Sequence, residues 1–156
     1  EKQGSGVASI VPYRAFSTLD GEVVVAAGGD ELFRRLTQVL GHPEWASDPR
    51  FLSNPDRVNH QTTLYPMIEN VMKAKSNATW IDLMDEAGIP CAPVQTLAQL
   101  VDHPQTQAVG IMQPVPGTDM TMFGLPIKID GVRPAPQGVP PHLGAHNHVL
   151  FPDQEK

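Results

Sequence analysis

Cysteine is nearly absent from this sequence, with Cys91 alone among 156 residues. One cysteine cannot form a disulfide within the chain, so we expect a reducing, cytoplasmic compartment. Clustered basic residues are missing too, because 11 Lys and Arg stand against 17 Asp and Glu, a net charge of -6. We therefore expect no nucleic-acid partner and no anionic membrane as partner. The longest purely aliphatic run, residues 23–27, is too short to span a bilayer, and no signal peptide is visible.

What the sequence does contain is typical of a globular domain. Hydrophobic residues make up 40% and charged residues 18%, which argues against a disordered chain. There are 13 glycines and 16 prolines, and the prolines become frequent beyond Gln113. This pattern predicts a turn-rich final third. The chain begins at Glu1 without a methionine, and we expect it to belong to something longer.

The most informative local pattern lies in residues 80–94. Trp80, Met84 and the neighbouring apolar residues recur at helical spacing, which predicts an amphipathic helix with Trp80 in the core. Ser76 or Asn77 is its expected cap, and Gly88 its expected end. Pro90 and Pro93 then forbid a further helix. We expect Cys91, between these prolines, to be a packed thiol rather than a nucleophile.

Upstream, the sequence predicts two paired strands followed by a helix. Residues 11–16 and 22–27 flank Asp20-Gly21, a hairpin signal, and we interpret them as an antiparallel pair. Gly28-Gly29-Asp30 is predicted to be a tight strand-to-helix turn in which Asp30 caps a helix that ends at Gly41.

The remaining elements follow from local start and stop signals. Asn54-Pro55 predicts a helix running toward Lys75, with a kink or break at Pro66. Thr96 and Gln99 form a capping box, and a short helix follows from Pro104 to Gly110. Residues 111–115, 120–123 and 126–129 resemble strands, and irregular extended chain is expected beyond Gly131. The predicted fold class is α+β, with several helices packed on a small antiparallel sheet and a Pro-rich extended C-terminal segment.

The residues offer no convincing catalytic constellation of their own. Gly28-Gly29 before a helix resembles half of a phosphate cradle, since free N–H groups at a helix start favour anions. The dinucleotide fingerprint and the P-loop lysine are absent, and a plain structural turn is the alternative interpretation. His142, His146 and His148 offer a metal-binding pattern, but the surrounding prolines favour a mobile tail.

Several segments together resemble one family, the class III CoA-transferases, also called the carnitine dehydratase and bile-acid-inducible family. The similarity is collinear from about Val11 to His146. The matching motifs are Val11-Pro12-Tyr13-Arg14-Ala15-Phe16 with Asp20-Gly21, Asp48-Pro49-Arg50-Phe51 with Asn54 and Arg57, Trp80 with Ala87-Gly88-Ile89-Pro90-Cys91-Ala92-Pro93-Val94, His103-Pro104-Gln105, and Leu143-Gly144 with His146.

The resemblance implies an enzyme larger than this chain. Such enzymes have a Rossmann-like large domain and an inserted small domain, and two chains interlock as a homodimer. An aspartate of the large domain is the nucleophile, which would lie upstream of Glu1. Residues 1–131 would then be the small domain and residues 132–156 an extended return segment toward the large domain.

The resemblance also implies substrates and candidate site residues. The substrates would be an acyl-CoA and a carboxylic acid, with the coenzyme A thioester as substrate and no covalently bound cofactor. Our candidate substrate-binding residues are Gly28, Gly29 and Asp30 of the turn, together with Tyr13, and we assign no catalytic or metal-binding residue to this chain. An acyl-CoA racemase-like or hydratase-like enzyme is one alternative, although racemase-type members often carry a glutamate where Gly29 stands. A non-catalytic binding domain is another.

Overall fold

A computed structural model describes residues 4–151 of the chain. The chain divides into two compact units, Glu1–Val94 and Gln95–Lys156. The mixture of helices and small antiparallel sheets confirms the predicted α+β class. Within the described residues, no helix combines the length and the apolar character that a membrane crossing requires.

The first unit is built on a three-stranded antiparallel sheet in the order β1-β2-β3. Strand β1 is Tyr13–Ser17 and β2 is Glu22–Ala26, which confirms the predicted hairpin. Strand β3 is Cys91–Pro93, so the segment around the two prolines, for which no strand was predicted, completes the sheet. The prolines are tolerated because β3 lies at the sheet edge, where a missing N–H leaves no partner unpaired.

Helices and one 3₁₀ turn complete this unit. They are α1 (Asp30–Val39), a 3₁₀ helix (Pro43–Ser47), α2 (Asn54–Asn59), α3 (Gln61–Met72) and α4 (Asn77–Glu86). The apolar faces of the sheet and the helices meet in one core, which confirms the helical stripes read from the sequence. Its fully buried members include Phe16, Val23, Val25, Leu36, Phe51, Leu64, Ile68, Met72, Trp80 and Met84.

Two helix boundaries differ from the prediction. Helix α2 is capped by Ser53, which forms a capping box with Asp56, because the Asn54 side chain instead binds the backbone of Val11 and Ser9. The long helix divides at His60, whose φ of -111° and ψ of 19° are not helical, and Pro66 lies inside α3. Helix α3 continues through Pro66 without a break. Proline cannot donate to the carbonyl of Thr62, but Thr62 is exposed, so water can take the place of the missing donor.

The second unit contains shorter elements. Its elements are α5 (Leu97–Asp102), α6 (Pro104–Val109), β4 (Met112–Pro114), β5 (Thr121–Phe123) and α7 (Asn147–Leu150). The Thr96–Gln99 capping box and the short helix that starts at Pro104 and ends before the left-handed Gly110 confirm the sequence predictions. The predicted strand over 126–129 is wrong, since only a bridge between Ile129 and Val132 forms there. The extended chain expected beyond Gly131 is interrupted by α7.

Candidate functional site

The candidate site is the turn that joins the end of β2 to the start of α1. Gly28 is half-buried, whereas Gly29 and Asp30 are exposed. Tyr13, the fourth candidate, pairs with Ala26 in the sheet and is 37% exposed. The backbone N–H of Ala27 donates to Pro12 at 2.9 Å, so this end of β1 stays beside the chain as it enters the turn. The sheet thereby brings all four predicted substrate-binding residues to one end of the hairpin.

The two glycines of the turn meet different surroundings. A Cβ added at Gly28 would collide with the Ile10 side chain, so close packing requires glycine there. A Cβ added at Gly29 would meet only Leu32 Cδ1, at 4.0 Å. Gly29 has a φ of -71°, which any residue adopts without strain. Internal packing therefore explains Gly28, while Gly29 faces open space in the described part of the chain.

Arg57 holds this turn in place, and its role was missed by the sequence reasoning. Its side chain is fully buried, and its guanidinium donates to the carbonyls of Val11 (2.8 Å), Phe51 (3.0 Å) and Gly28 (2.6 Å). The guanidinium also lies over the Phe33 ring, with Cζ 4.6 Å from its centroid. A planar five-donor group suits this task, because it can bind several carbonyls from different segments at once. The sequence signal that could have pointed to Arg57 is its place in the motif formed by Asp48-Pro49-Arg50-Phe51, Asn54 and Arg57.

Asp30 differs from its predicted role as helix cap. The N-cap position of α1 is Gly29, which has no side chain to offer, and Asp30 is the first helical residue. Its carboxylate accepts from Arg57 Nη2 at 2.9 Å, and this ion pair occupies the group that was expected to cap the helix. The Asp30 side chain remains 62% exposed, so one face of the carboxylate is open to water. The prediction that Asp30 caps α1 is therefore wrong.

The charge around the helix start is mostly paired. Glu31 accepts hydrogen bonds from Arg34 and Arg35, and these bonds lower the pKa of the Glu31 carboxyl below its usual value. Asp30 is paired with Arg57, as described above. The partial positive charge of the α1 N-terminus thus lies beside carboxylates that already have arginine partners, which lessens the repulsion that an incoming anion would meet.

Cys91 lies outside this turn and has the environment of a poor nucleophile. It sits in β3 opposite Val25 and is half-buried. Burial raises the pKa of its thiol, and the nearby Asp85 carboxylate raises it further, with Sγ and Oδ1 3.9 Å apart. A raised pKa lowers the thiolate fraction at neutral pH, and only the thiolate attacks. Both features agree with the packed thiol that the sequence predicts.

The histidine pattern of the C-terminal region forms no metal cluster in the described chain. His142, His146 and His148 are all exposed. Between residues 4 and 151, no group of three or more His, Cys, Asp and Glu side chains lies close enough to hold a metal ion.

Comparison with known proteins shows what this architecture resembles. A sequence model of CoA-transferase family III matches residues 1–147. Acetyl-CoA:oxalate CoA-transferase of Acetobacter aceti is 34% identical over 78% of this chain and 31% of its own length. Human succinyl-CoA:glutarate CoA-transferase is 26% identical over 96% of this chain and 35% of its own length.

A crystal structure shows the same likeness in three dimensions. A CaiB/BaiF family protein from Brucella suis superposes with a TM-score of 0.81 at 27% identity, covering 96% of this chain and 39% of that one. The chain therefore spans about a third of the length of the relatives it matches. With the family model matching nearly all of its residues, this chain belongs to CoA-transferase family III.

Proposed function

We propose that this chain is part of a CoA-transferase that moves coenzyme A from an acyl-CoA to a carboxylic acid. The observation that carries the proposal is the family match over residues 1–147, in a chain covering about a third of its relatives. In such a transfer one thioester bond is broken and another is formed, while the donor acid is released as its carboxylate. No electrons are gained or lost, so the reaction requires no redox cofactor.

The acceptor is proposed to be a small dicarboxylic acid. The names of the relatives support this choice, since they act with oxalate, glutarate, mesaconate and D-citramalate. Each of these acids carries a second carboxylate besides the one that takes the coenzyme. A transferase for such substrates benefits from a cationic group that recognises the unreacted carboxylate.

The Gly28–Gly29–Asp30 turn and Tyr13 are proposed to approach the substrate in the complete enzyme. The open space at Gly29, the exposure of Asp30 and Tyr13, and the rigid support from Arg57 favour this role. The reacting nucleophile itself is proposed to lie outside this chain, on the large domain that the family resemblance implies. Replacing Gly29 with Val in the longer protein should then lower transferase activity while leaving the fold intact. Unchanged kinetics would remove the turn from the site.

Further proposals concern the assembly. The longer protein is proposed to be a cytoplasmic homodimer in which a large domain covers the apolar surface of the Gln95–Lys156 unit. That unit exposes many large apolar side chains, as expected of a surface that another domain covers. Those exposed by more than half include Met120, Leu125, Ile127, Ile129, Val132, Val149 and Leu150. Light scattering of the longer protein during size-exclusion chromatography should give twice the mass of one chain. A monomer would contradict the proposed dimer.

The proposed reaction is tested by an assay of acyl-group exchange. Acetyl-CoA or succinyl-CoA is incubated with oxalate, glutarate or mesaconate, and the CoA thioesters are identified by mass spectrometry. The longer protein should form the new thioester, and the 156-residue chain alone should form none. Turnover by the chain alone would refute the assignment of the nucleophile to another domain. Deuterium incorporation next to the thioester carbonyl, without exchange of acyl groups, would instead indicate a racemase.

A further inference from the structure

A cavity of about 420 Å³ lies in the first unit, between β1 and the first two turns of α3. Its wall is formed by Arg14 from β1, by Gln61, Thr62 and Tyr65 from α3, and by residues 6 and 7. Polar and apolar groups contribute to it in similar measure. None of the residues that line it within the described range 4–151 is acidic, so Arg14 gives this cavity a positive charge.

Arg14 is held by a backbone hydrogen bond and by two aromatic rings. Its Nε donates to the Ala15 carbonyl at 3.0 Å. Its guanidinium carbon lies 5.1 Å from the centroid of the Tyr65 ring and 5.5 Å from that of Phe16. Across residues 4–151, neither Nη1 nor Nη2 of Arg14 makes a hydrogen bond or an ion pair. The aromatic contacts orient the planar fork and leave its terminal donors for a ligand.

Neighbouring groups add hydrogen-bonding capacity. Tyr65 contributes a phenol, and burial raises the pKa of that hydroxyl, so it stays a proton donor at neutral pH. Gln61 and Thr62 contribute an amide and a hydroxyl from the first turn of α3, where backbone N–H groups carry partial positive charge. An anion in the cavity would thus meet one full positive charge and several neutral donors.

The remaining wall is held along the edge of β1. The Ala15 N–H donates to Ser5 Oγ at 3.1 Å, and the Val7 N–H donates to the Tyr13 carbonyl at 3.2 Å. These bonds place residues 5–7 beside the strand that carries Arg14. The cavity is therefore shaped by three separate segments of the chain, and Val7 and Pro66 supply apolar surface for a short carbon chain.

We propose that this cavity binds a carboxylate of a small dicarboxylic acid, with the Arg14 fork as its charged anchor and Tyr65 as a second donor. A planar carboxylate matches the two free nitrogens of a guanidinium, which allows two parallel hydrogen bonds. The single cation and the half-apolar wall suit one carboxylate with a short aliphatic chain better than a dianionic phosphate. The identity of the acid rests on the proposed function, whereas binding at Arg14 can be tested without it.

The test is a titration of the full 156-residue chain, followed by ¹H–¹⁵N NMR. Succinate, inorganic phosphate and succinamide are added separately at millimolar concentrations. Succinate should shift the amide signals of Gly6, Val7 and Arg14, and the Arg14 Nε signal, with saturation. Succinamide should leave them in place, and phosphate should bind more weakly than succinate. Equal or tighter binding of phosphate would overturn the carboxylate assignment.

Two variants and one control sharpen the test. Arg14→Gln should weaken succinate binding about tenfold or more, because it removes a charge-assisted hydrogen bond to the carboxylate. Arg14→Lys keeps the charge but loses the fork, and should give an intermediate affinity. Arg34→Gln removes an exposed arginine of the same unit outside the cavity and should bind as the wild type does. Unchanged shifts in the wild type, or unchanged affinity in a folded Arg14→Gln, would overturn the inference.

The longer protein separates this inference from the proposed reaction. If CoA transfer occurs and Arg14→Gln raises KM for the acid more than it lowers kcat, both stand. If CoA transfer occurs but Arg14→Gln leaves both the KM for the acid and the NMR titration unchanged, the cavity is not the acid site and the transferase proposal survives. If succinate binding depends on Arg14 but the longer protein has no transferase activity, the cavity is a carboxylate site and the transferase proposal fails.

Discussion

The two compact units of this chain differ in how many of their apolar side chains they bury. The Glu1–Val94 unit buries side chains from its sheet and from four helices in one continuous core. In the described part of the Gln95–Lys156 unit, only Val115 and Thr106 are buried. Hydrophobic burial is the main favourable term in folding, so the first unit has most of the stabilisation that this chain can supply.

The second unit has large apolar residues as well, but most of them are exposed in its described part. Leu97 is 75% exposed, and Met122 and Phe123 of β5 are also exposed. Large contiguous apolar surfaces in a folded protein usually mark an interaction site. The first unit is therefore stabilised by its own core, whereas the described part of the second unit has no core of comparable size.

Trp80→Ala should destabilise the first unit by about 3–5 kcal/mol, as large-to-small changes in a packed core do. Trp80 is 1% exposed, and its indole N–H donates to the Met72 carbonyl at 2.7 Å. Urea unfolding followed by circular dichroism measures the change. The matched variant in the second unit is Leu97→Ala, which should alter the unfolding free energy by less than about 0.5 kcal/mol. Similar losses in the two variants would remove the contrast between the units.

Arg57→Lys should cost about 2–4 kcal/mol, because a lysine cannot supply donors to the carbonyls of Val11, Phe51 and Gly28 together. Asp30→Asn is the control, since the exposed Asp30 carboxylate should contribute less than about 1 kcal/mol. Chemical denaturation of both variants gives the comparison. If Asp30→Asn costs as much as Arg57→Lys, the ion pair holds the turn rather than the carbonyl bonds.

Cys91→Ser should have a small effect on the unfolding free energy, below about 1 kcal/mol, because the thiol is only half-buried at the sheet edge. Its raised pKa predicts slow labelling by a thiol reagent at neutral pH, with a rate that still rises with pH above the usual thiol range. Asp85→Asn should speed the labelling at neutral pH by removing a neighbouring negative charge. Rapid stoichiometric labelling of the wild type at pH 7, with loss of transferase activity in the longer protein, would place Cys91 in the site.

Local signals in the sequence predicted most elements of the fold. The Asp20-Gly21 turn, the Thr96–Gln99 capping box and the stripe through Trp80 and Met84 each depend on neighbours in the chain. The structure confirms all three. Strand β3 was missed because its pairing partner, β2, lies far away in sequence, and two prolines obscured its strand character.

The turn at residues 28–30 was predictable from the sequence, but the contacts that support it were not. Gly28, Gly29 and Asp30 were chosen from the turn sequence, and the turn forms there. Arg57 contacts Gly28 across 29 residues of chain, which no local pattern reveals. The Asp30 cap failed for the same reason, since a distant arginine competes for its carboxylate. The Arg14 cavity likewise depends on α3 packing against β1.

Hydrogen exchange tests the central contrast most directly, in the 156-residue chain and in the longer protein that we propose contains it. In the chain alone, amides of β2, α3 and α4 should exchange slowly, and those of β4, β5 and α5 should exchange much faster. In the longer protein, protection of the first group should stay nearly the same, whereas the second group should become protected. Equal protection of both groups in the chain alone, or no gain for the second group in the longer protein, would contradict the account.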